Sequence, residues 1–240
     1  MSLYADSAHQ PSAAIDALHT DELGSFSRVG TWGSAAQRTA VAATTRKIRV
    51  EAGIQESCGD EALADCVVLP DPVQRLVREV ALGGIAVDRK FCQQVQAEGV
   101  TEGAYVEIVA LVSRIVNLDI FARGVGVLPR PLAAPADDKA PSFERPAEAV
   151  DEGFFTASVP NAPAGGELAK SLYGAAPAVN VLRAVTLVPE EGHRVVALIR
   201  QQYFPAEKLM AFDSDNGHAL SRAQIELVAT KISEHNKCFY

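Results

Sequence analysis

Three residues near the end of the chain have types and spacing suited to chemistry: Glu226, His235 and Cys238. Glu226 sits inside the apolar run Ile225-Glu-Leu-Val-Ala229, twelve residues before Cys238, and His235 precedes that cysteine by three. A thiol attacks an O–O bond as the thiolate, so it needs a base, a positive neighbour or a helix N-terminus to ionise it. A carboxyl held among apolar side chains suits the role of proton relay, because burying its charge (about 1.4 kcal/mol per unit of pKa) moves its titration toward neutrality. On one unbroken helix, twelve residues at roughly 100° each leave Glu226 and Cys238 about 120° out of phase. The spacing therefore predicts a break at His235-Asn236-Lys237, with Asn236 as the cap that opens a fresh N-terminus beneath Cys238. Taken alone, a single thiol is more often incidental than nucleophilic. His235, within one turn of Cys238, reads more often as an exposed polar residue at a helix end.

The elements that must position these residues read as helices. Ser12 to Ser27 carries helical signals, and Ser34 after the Thr31-Trp32-Gly33 turn is an N-cap for an Ala-rich helix through Val50. Arg38, Arg46, Lys47 and Arg49 on that helix are expected to form a solvated face. Asp71 is expected to cap a helix from Pro72, a further helix covers Asp88 to Ala97, and Thr101 caps a run that is apolar on most sides from Tyr105 to Leu118. A helix apolar almost all round is a buried one. Seven of the thirteen prolines fall between Pro129 and Pro163, which predicts a long surface connection and a boundary. Beyond it, helices are expected from Glu167, over Val179 to Leu187, and from Pro189. Ser221-Arg-Ala-Gln224 is a capping box opening the last one.

Composition narrows the function classes. The 240 residues are 48% hydrophobic with 6% aromatics and a net charge of −8. An acidic chain with no basic cluster argues against nucleic acid as a partner. No apolar run is long enough to cross a bilayer and no signal peptide is evident, so a cytoplasmic location is expected. Four cysteines (Cys58, Cys66, Cys92, Cys238) without CxxC or zinc-like spacing read as free thiols, the first three mostly buried, and no metal is assigned.

An internal repeat links the two halves. Tyr105 to Asp119 aligns with Gln224 to Cys238 at an offset of 119 residues, placing Glu107 on Glu226, Asn117 on Asn236 and Asp119 on Cys238. Glu107 is expected to be a core carboxylate satisfied by an arginine or by backbone amides.

The stretch Ala219 to Tyr240 resembles the core motif of the alkylhydroperoxidase D-like (carboxymuconolactone decarboxylase-like) superfamily: a Glu in an apolar helix, then Ser and Asn, then a CxxC pair twelve residues after the Glu, then a His. Glu226, Ser233, Asn236 and Cys238 match in type and spacing. Pro177 to Pro189 and Thr31 to Val50 are similar to helices of two-domain relatives. The resemblance implies an all-α fold of tandem helical units, the first degenerate: a unit at 1–128, the connection at 129–166, and a second unit at 167–240. It implies a thiol-dependent peroxidase reducing a small hydroperoxide, without a cofactor. Glu226 would be the relay, Cys238 the resolving thiol, a dithiol protein the reductant, and the assembly a homo-oligomer. The family's second cysteine and its histidine would follow Tyr240, so the sequence is expected to be a fragment with an incomplete site. Two rivals stand beside this reading: a non-catalytic helical scaffold or binding protein, and a lactone decarboxylase-like or isomerase-like enzyme, since relatives lacking CxxC do such work. A pocket lined by His and Arg without a thiol would favour the last.

Overall fold

The computed structural model describes residues 2–174, 177–203 and 219–238. The chain is all-α. Its helices are α1 (Ala13–Ser25), α2 (Ala35–Glu51), α3 (Asp71–Ala81), α4 (Arg89–Ala97), α5 (Glu102–Gly124), α6 (Gly166–Tyr173), α7 (Asn180–Arg183), α8 (Pro189–Gln202) and α9 (Arg222–His235), with a 3-10 turn at Glu61–Asp65. Among the described residues, the isolated antiparallel bridge Val150–Ser158 is the only extended pairing. No helix among them is long and apolar enough to cross a membrane.

Local chemistry sets most boundaries. Ser12, Ser34, Asp88, Thr101 and Ser221 each accept a backbone N–H in the first turn of the helix that follows, and Ser34–Gln37 and Ser221–Gln224 form reciprocal capping boxes. The helix expected from Pro72 begins one residue earlier. Pro70 is its N-cap and Asp71 lies in the first turn, where a carboxylate meets the positive end of the dipole instead of capping. The helix expected over Val179 to Leu187 shortens to Asn180–Arg183. Tertiary bonds replace its second half: Thr186 Oγ1 donates to the Arg183 carbonyl at 2.7 Å and accepts the Val159 N–H at 3.1 Å.

Two compact units divide the chain, 1–196 and 197–240, and the division falls within α8. In the larger unit α2 packs on α5, α3 and the 3-10 turn, with α3 also against α5. Ala40, Val41, Ala42 and Ala43 of α2 and Val106, Leu111, Val112 and Ile115 of α5 are fully buried. Small alanines let the two axes approach closely. The proline-rich stretch after α5 runs over the loops before α2 and is pinned there, Ala136 N–H donating to the Ser27 carbonyl at 2.7 Å and Phe143 N–H to that of Thr31 at 2.8 Å. In the smaller unit α9 has no buried residue, and Leu227, Val228 and Ile232 are exposed.

The expected solvated arginine face of α2 is overturned. Lys47 is exposed, but Arg38 and Arg46 are 2% and 0% exposed. Acidic residues on α5, α8 and the 57–60 loop supply partners that no local pattern reveals. The cysteines also depart from expectation: Cys92 is buried, Cys58 half-buried and Cys66 exposed, all of them free.

Candidate functional site

The tail residues are placed as follows. α9 ends at His235, where a break is expected, but Asn236 closes that helix instead of opening another. Lys237 takes a left-handed conformation (φ 53°), its N–H donates to the Glu234 carbonyl at 3.1 Å, and the Cys238 N–H donates to that of Ser233 at 2.9 Å. This is a Schellman closure with lysine where glycine is usual. His235 and Cys238 are exposed. Glu226 is half-buried, ion-paired with Arg222 one turn earlier at 2.6 Å and accepting the Tyr203 hydroxyl at 2.9 Å. Nine helical residues separate Glu226 from His235, about 13 Å of axial rise. Along α9, then, Glu226 does not reach the Cys238 thiol directly, and its partners within this unit are Arg222 and Tyr203.

The densest arrangement of chemistry-bearing groups lies in the larger unit, around Arg38. Its Nη1 donates to Glu107 Oε1 at 2.5 Å and to Glu191 Oε1 at 2.9 Å. Arg114 Nε donates to Glu191 Oε2 at 2.9 Å, and its Nη1 pairs with Glu22 while donating to Ser25 Oγ at 2.9 Å. Arg194 Nη1 closes the chain on Glu22 at 2.9 Å and on Asp21 at 2.9 Å. Glu22, Glu107 and Arg114 are each 1% exposed and Glu191 0%. Alternating charge thus ties α1, α2, α5 and α8 together. Burying so many charges is tolerable only because every carboxylate faces a guanidinium.

Glu107 meets the expectation of a core carboxylate held by an arginine and by backbone amides: Oε2 accepts the Trp32 N–H at 2.7 Å and Oε1 the Gly33 N–H at 3.3 Å. The 30–33 loop folds tightly over it, Gly30 N–H donating to the Gly33 carbonyl at 2.9 Å. A Cβ at Gly30 would fall inside 3.0 Å of both Arg38 Nη1 and Glu107 Oε1. The two glutamates that share Arg38 are driven apart: burial pushes the Glu107 carboxyl above its ordinary value, whereas Arg114 and Arg38 hold Glu191 below it against its own burial. Divergent carboxyls on one arginine are an arrangement in which one acid can carry a proton while the other stays charged.

Glu107 and Arg38 also form a wall of a cleft of about 230 Å³. The rest of its lining is mainly apolar: Val41, Leu69, Val73, Val100, Ile108, Leu111 and Phe143, with Trp32 at one side. It contains neither cysteine nor histidine. Sequence reasoning set Glu107 aside as structural and missed Arg38, Arg114 and Glu191. The available signal was an arginine at positions 38 and 46, two helical turns apart with Ala42 between them on one stripe of an alanine-rich helix.

A second buried cluster surrounds Arg46. It grips Asp119 with two bonds (3.0 and 2.6 Å), pairs with Asp60, and lies 3.4 Å from Cys58 Sγ. Cys58 donates to Asp60 Oδ1 at 3.1 Å, and burial pushes its thiol up to about 12, so it is not a nucleophile at neutral pH. Among the described residues no group of three or more His, Cys, Asp or Glu is placed to hold a metal ion. Compared with protein-family models, with curated proteins and with solved structures, this chain matches none.

Proposed function

We propose that the chain binds a small, mainly apolar molecule in the cleft beside Arg38 and that Glu107 exchanges a proton with it, an acid–base role of the kind expected of lactone-converting relatives without a thiol. The observation that carries this reading is the position of Glu107: a buried carboxyl, raised by burial, on the wall of an apolar cleft that has the expected arginine and no cysteine, but not the expected histidine. Arg38 and the Trp32 and Gly33 amides fix the side chain, so its geometry is set before any ligand arrives. A β,γ-unsaturated butenolide tests it. Isomerisation to the α,β-unsaturated form removes one proton from the carbon next to the carbonyl and returns one at the γ-carbon, so a single carboxyl performs both steps. The wild-type chain should accelerate that shift, and Glu107→Gln should lose 10²–10⁴-fold of the acceleration, the usual share of a general base. Equal rates for the two proteins remove Glu107 from the chemistry.

A second reading keeps the thiol peroxidase. It is favoured by the exposed Cys238 just past the end of α9. In this reading Cys238 attacks the peroxide and an added dithiol reduces the sulfenic acid that forms, so peroxide consumption should fall in Cys238→Ser; unchanged consumption discards this reading. A homo-oligomer and a dithiol protein partner belong to it as proposals.

A further inference from the structure

We infer that a second cleft, lined by the ends of α2 and α5 and the loops that follow them, binds a small molecule with an apolar body and a single carboxylate, held by Arg49 and Arg123. The cleft measures about 580 Å³, within the size range of ligand pockets. Both arginines line it, each from the last turn of its helix. It shares no lining residue with the Arg38–Glu107 cleft and does not depend on the role proposed there.

Neither guanidinium is ion-paired among the described residues. Arg49 Nε donates to the neutral Gln55 Oε1 at 3.0 Å and Nη1 to the Ala81 carbonyl at 2.8 Å, which fixes the plane of the group. Its Nη2 has no protein acceptor among the described residues and stays open to water. Arg123 is exposed, and its side chain makes no hydrogen bond among those residues. A helix C-terminus favours a cation, which accounts for where the two arginines stand but occupies neither outward donor. Burial lowers the Arg49 guanidinium from its ordinary value, and the neighbouring charge of Arg123 adds to this against the pull of Asp119. Two like charges with uncommitted donors are relieved by an anion, and the planar fork of arginine matches a carboxylate.

The remaining lining sets what the anion carries. Ile54, Ile120 and Leu128 are 43%, 57% and 49% exposed, three large apolar side chains brought to one cleft from three parts of the chain. An apolar body laid over them removes both surfaces from water. Two acids limit the charge. Asp119 is answered by Arg46, but Glu56 is exposed and has no ion pair among the described residues, so one of the two positive charges is left over. A dianion would exceed it, and a cation would meet both arginines.

The full chain is titrated with hexanoate, with 1-hexanol as the uncharged chain of the same length, with hexylammonium, and with adipate, which bears a carboxylate at each end. Ligand-observed NMR reads the binding. The expected result is saturable binding of hexanoate, at least tenfold tighter than that of hexanol or adipate, and none of hexylammonium. In Arg123→Gln hexanoate should weaken at least tenfold while hexanol is unchanged. Hexanol, hexylammonium or adipate binding as tightly as hexanoate overturns the inference. So does undiminished hexanoate affinity in Arg123→Gln, or no saturable binding of hexanoate to the wild-type chain.

Discussion

Arg46 and Asp119 form a two-pronged ion pair inside the helical core, Nε on Oδ2 at 3.0 Å and Nη2 on Oδ1 at 2.6 Å, across the interface of α2 and α5. Asp119 also accepts from Gln55 Nε2 at 2.8 Å, and the Asp60 carboxylate on the other side of Arg46 accepts the Leu132 N–H at 2.8 Å. One guanidinium therefore ties two helices, the 57–60 loop and the proline-rich connection together. Removing Asp119 alone strands a buried cation. Asp119→Ala should cost about 3–5 kcal/mol in urea unfolding, whereas the paired change Arg46→Met with Asp119→Leu should cost distinctly less than the sum of its single changes. Additive losses would show that the two residues stabilise independently.

His19 makes stability depend on pH. It is fully buried, its Nδ1 and the Tyr4 hydroxyl share a hydrogen bond of 2.6 Å, and its ring packs on Phe121 at 4.6 Å. Burial lowers it from 6.5 to about 4, against the opposing pull of Glu22 and Asp16. Unfolded chains therefore take up a proton here that the folded chain refuses. The neutral ring's contribution is complete above 6.5 and is lost as pH falls toward about 4, an effect of order 3 kcal/mol at its limit. His19→Gln should flatten the fall in unfolding free energy between those values; an unchanged slope assigns the acid sensitivity elsewhere.

How much of this was legible in sequence depends on how local the cause is. Ser34, Thr101 and Ser221 cap because a hydroxyl and an amide lie three residues apart, and that is written in the chain. The burial of α5 shows as apolar residues on most sides of one helix. Arg38 and Arg46 were not legible as core residues, because their partners Glu107, Glu191, Asp60 and Asp119 lie between 14 and 153 residues away. An arginine reads as solvated until the fold supplies a carboxylate. Glu226 shows the converse: its neighbours are apolar in sequence, yet on α9 they are exposed, so the carboxyl sits beside Arg222 and not in a core.

Gly103 carries a test of how firmly Trp32 is placed. Alanine there gains up to about 1 kcal/mol of helix propensity. Its methyl would nevertheless fall inside 3.0 Å of the indole, whose ring is wedged by Phe143. Overpacking of that kind costs about 1–3 kcal/mol, so clash outweighs propensity. Gly103→Ala should lower the melting temperature and shift tryptophan emission to the red as the ring is pushed toward water. A stabilised variant with unchanged emission would mean that the indole moves aside freely.

The four thiols should differ in reactivity according to their surroundings. Cys66 and Cys238 are exposed, Cys58 is half-buried and donates to Asp60, and Cys92 is buried, donating to the Phe155 carbonyl at 3.6 Å and accepting from Gln96 at 3.1 Å. Burial raises Cys58 to about 12 and moves Cys92 and Cys66 in the same direction. Alkylation follows the thiolate fraction and access to it. Under brief iodoacetamide treatment of the folded chain at neutral pH, peptide mass spectrometry should find label at Cys238 first, at Cys66 more slowly, and little at Cys58 or Cys92. Asp60→Asn weakens the carboxylate that holds the Cys58 proton and leaves Arg46 beside the sulfur, so it should speed labelling at Cys58 without altering the rate at Cys238. Labelling of Cys58 ahead of Cys238 in the wild-type chain would contradict the description of both sites.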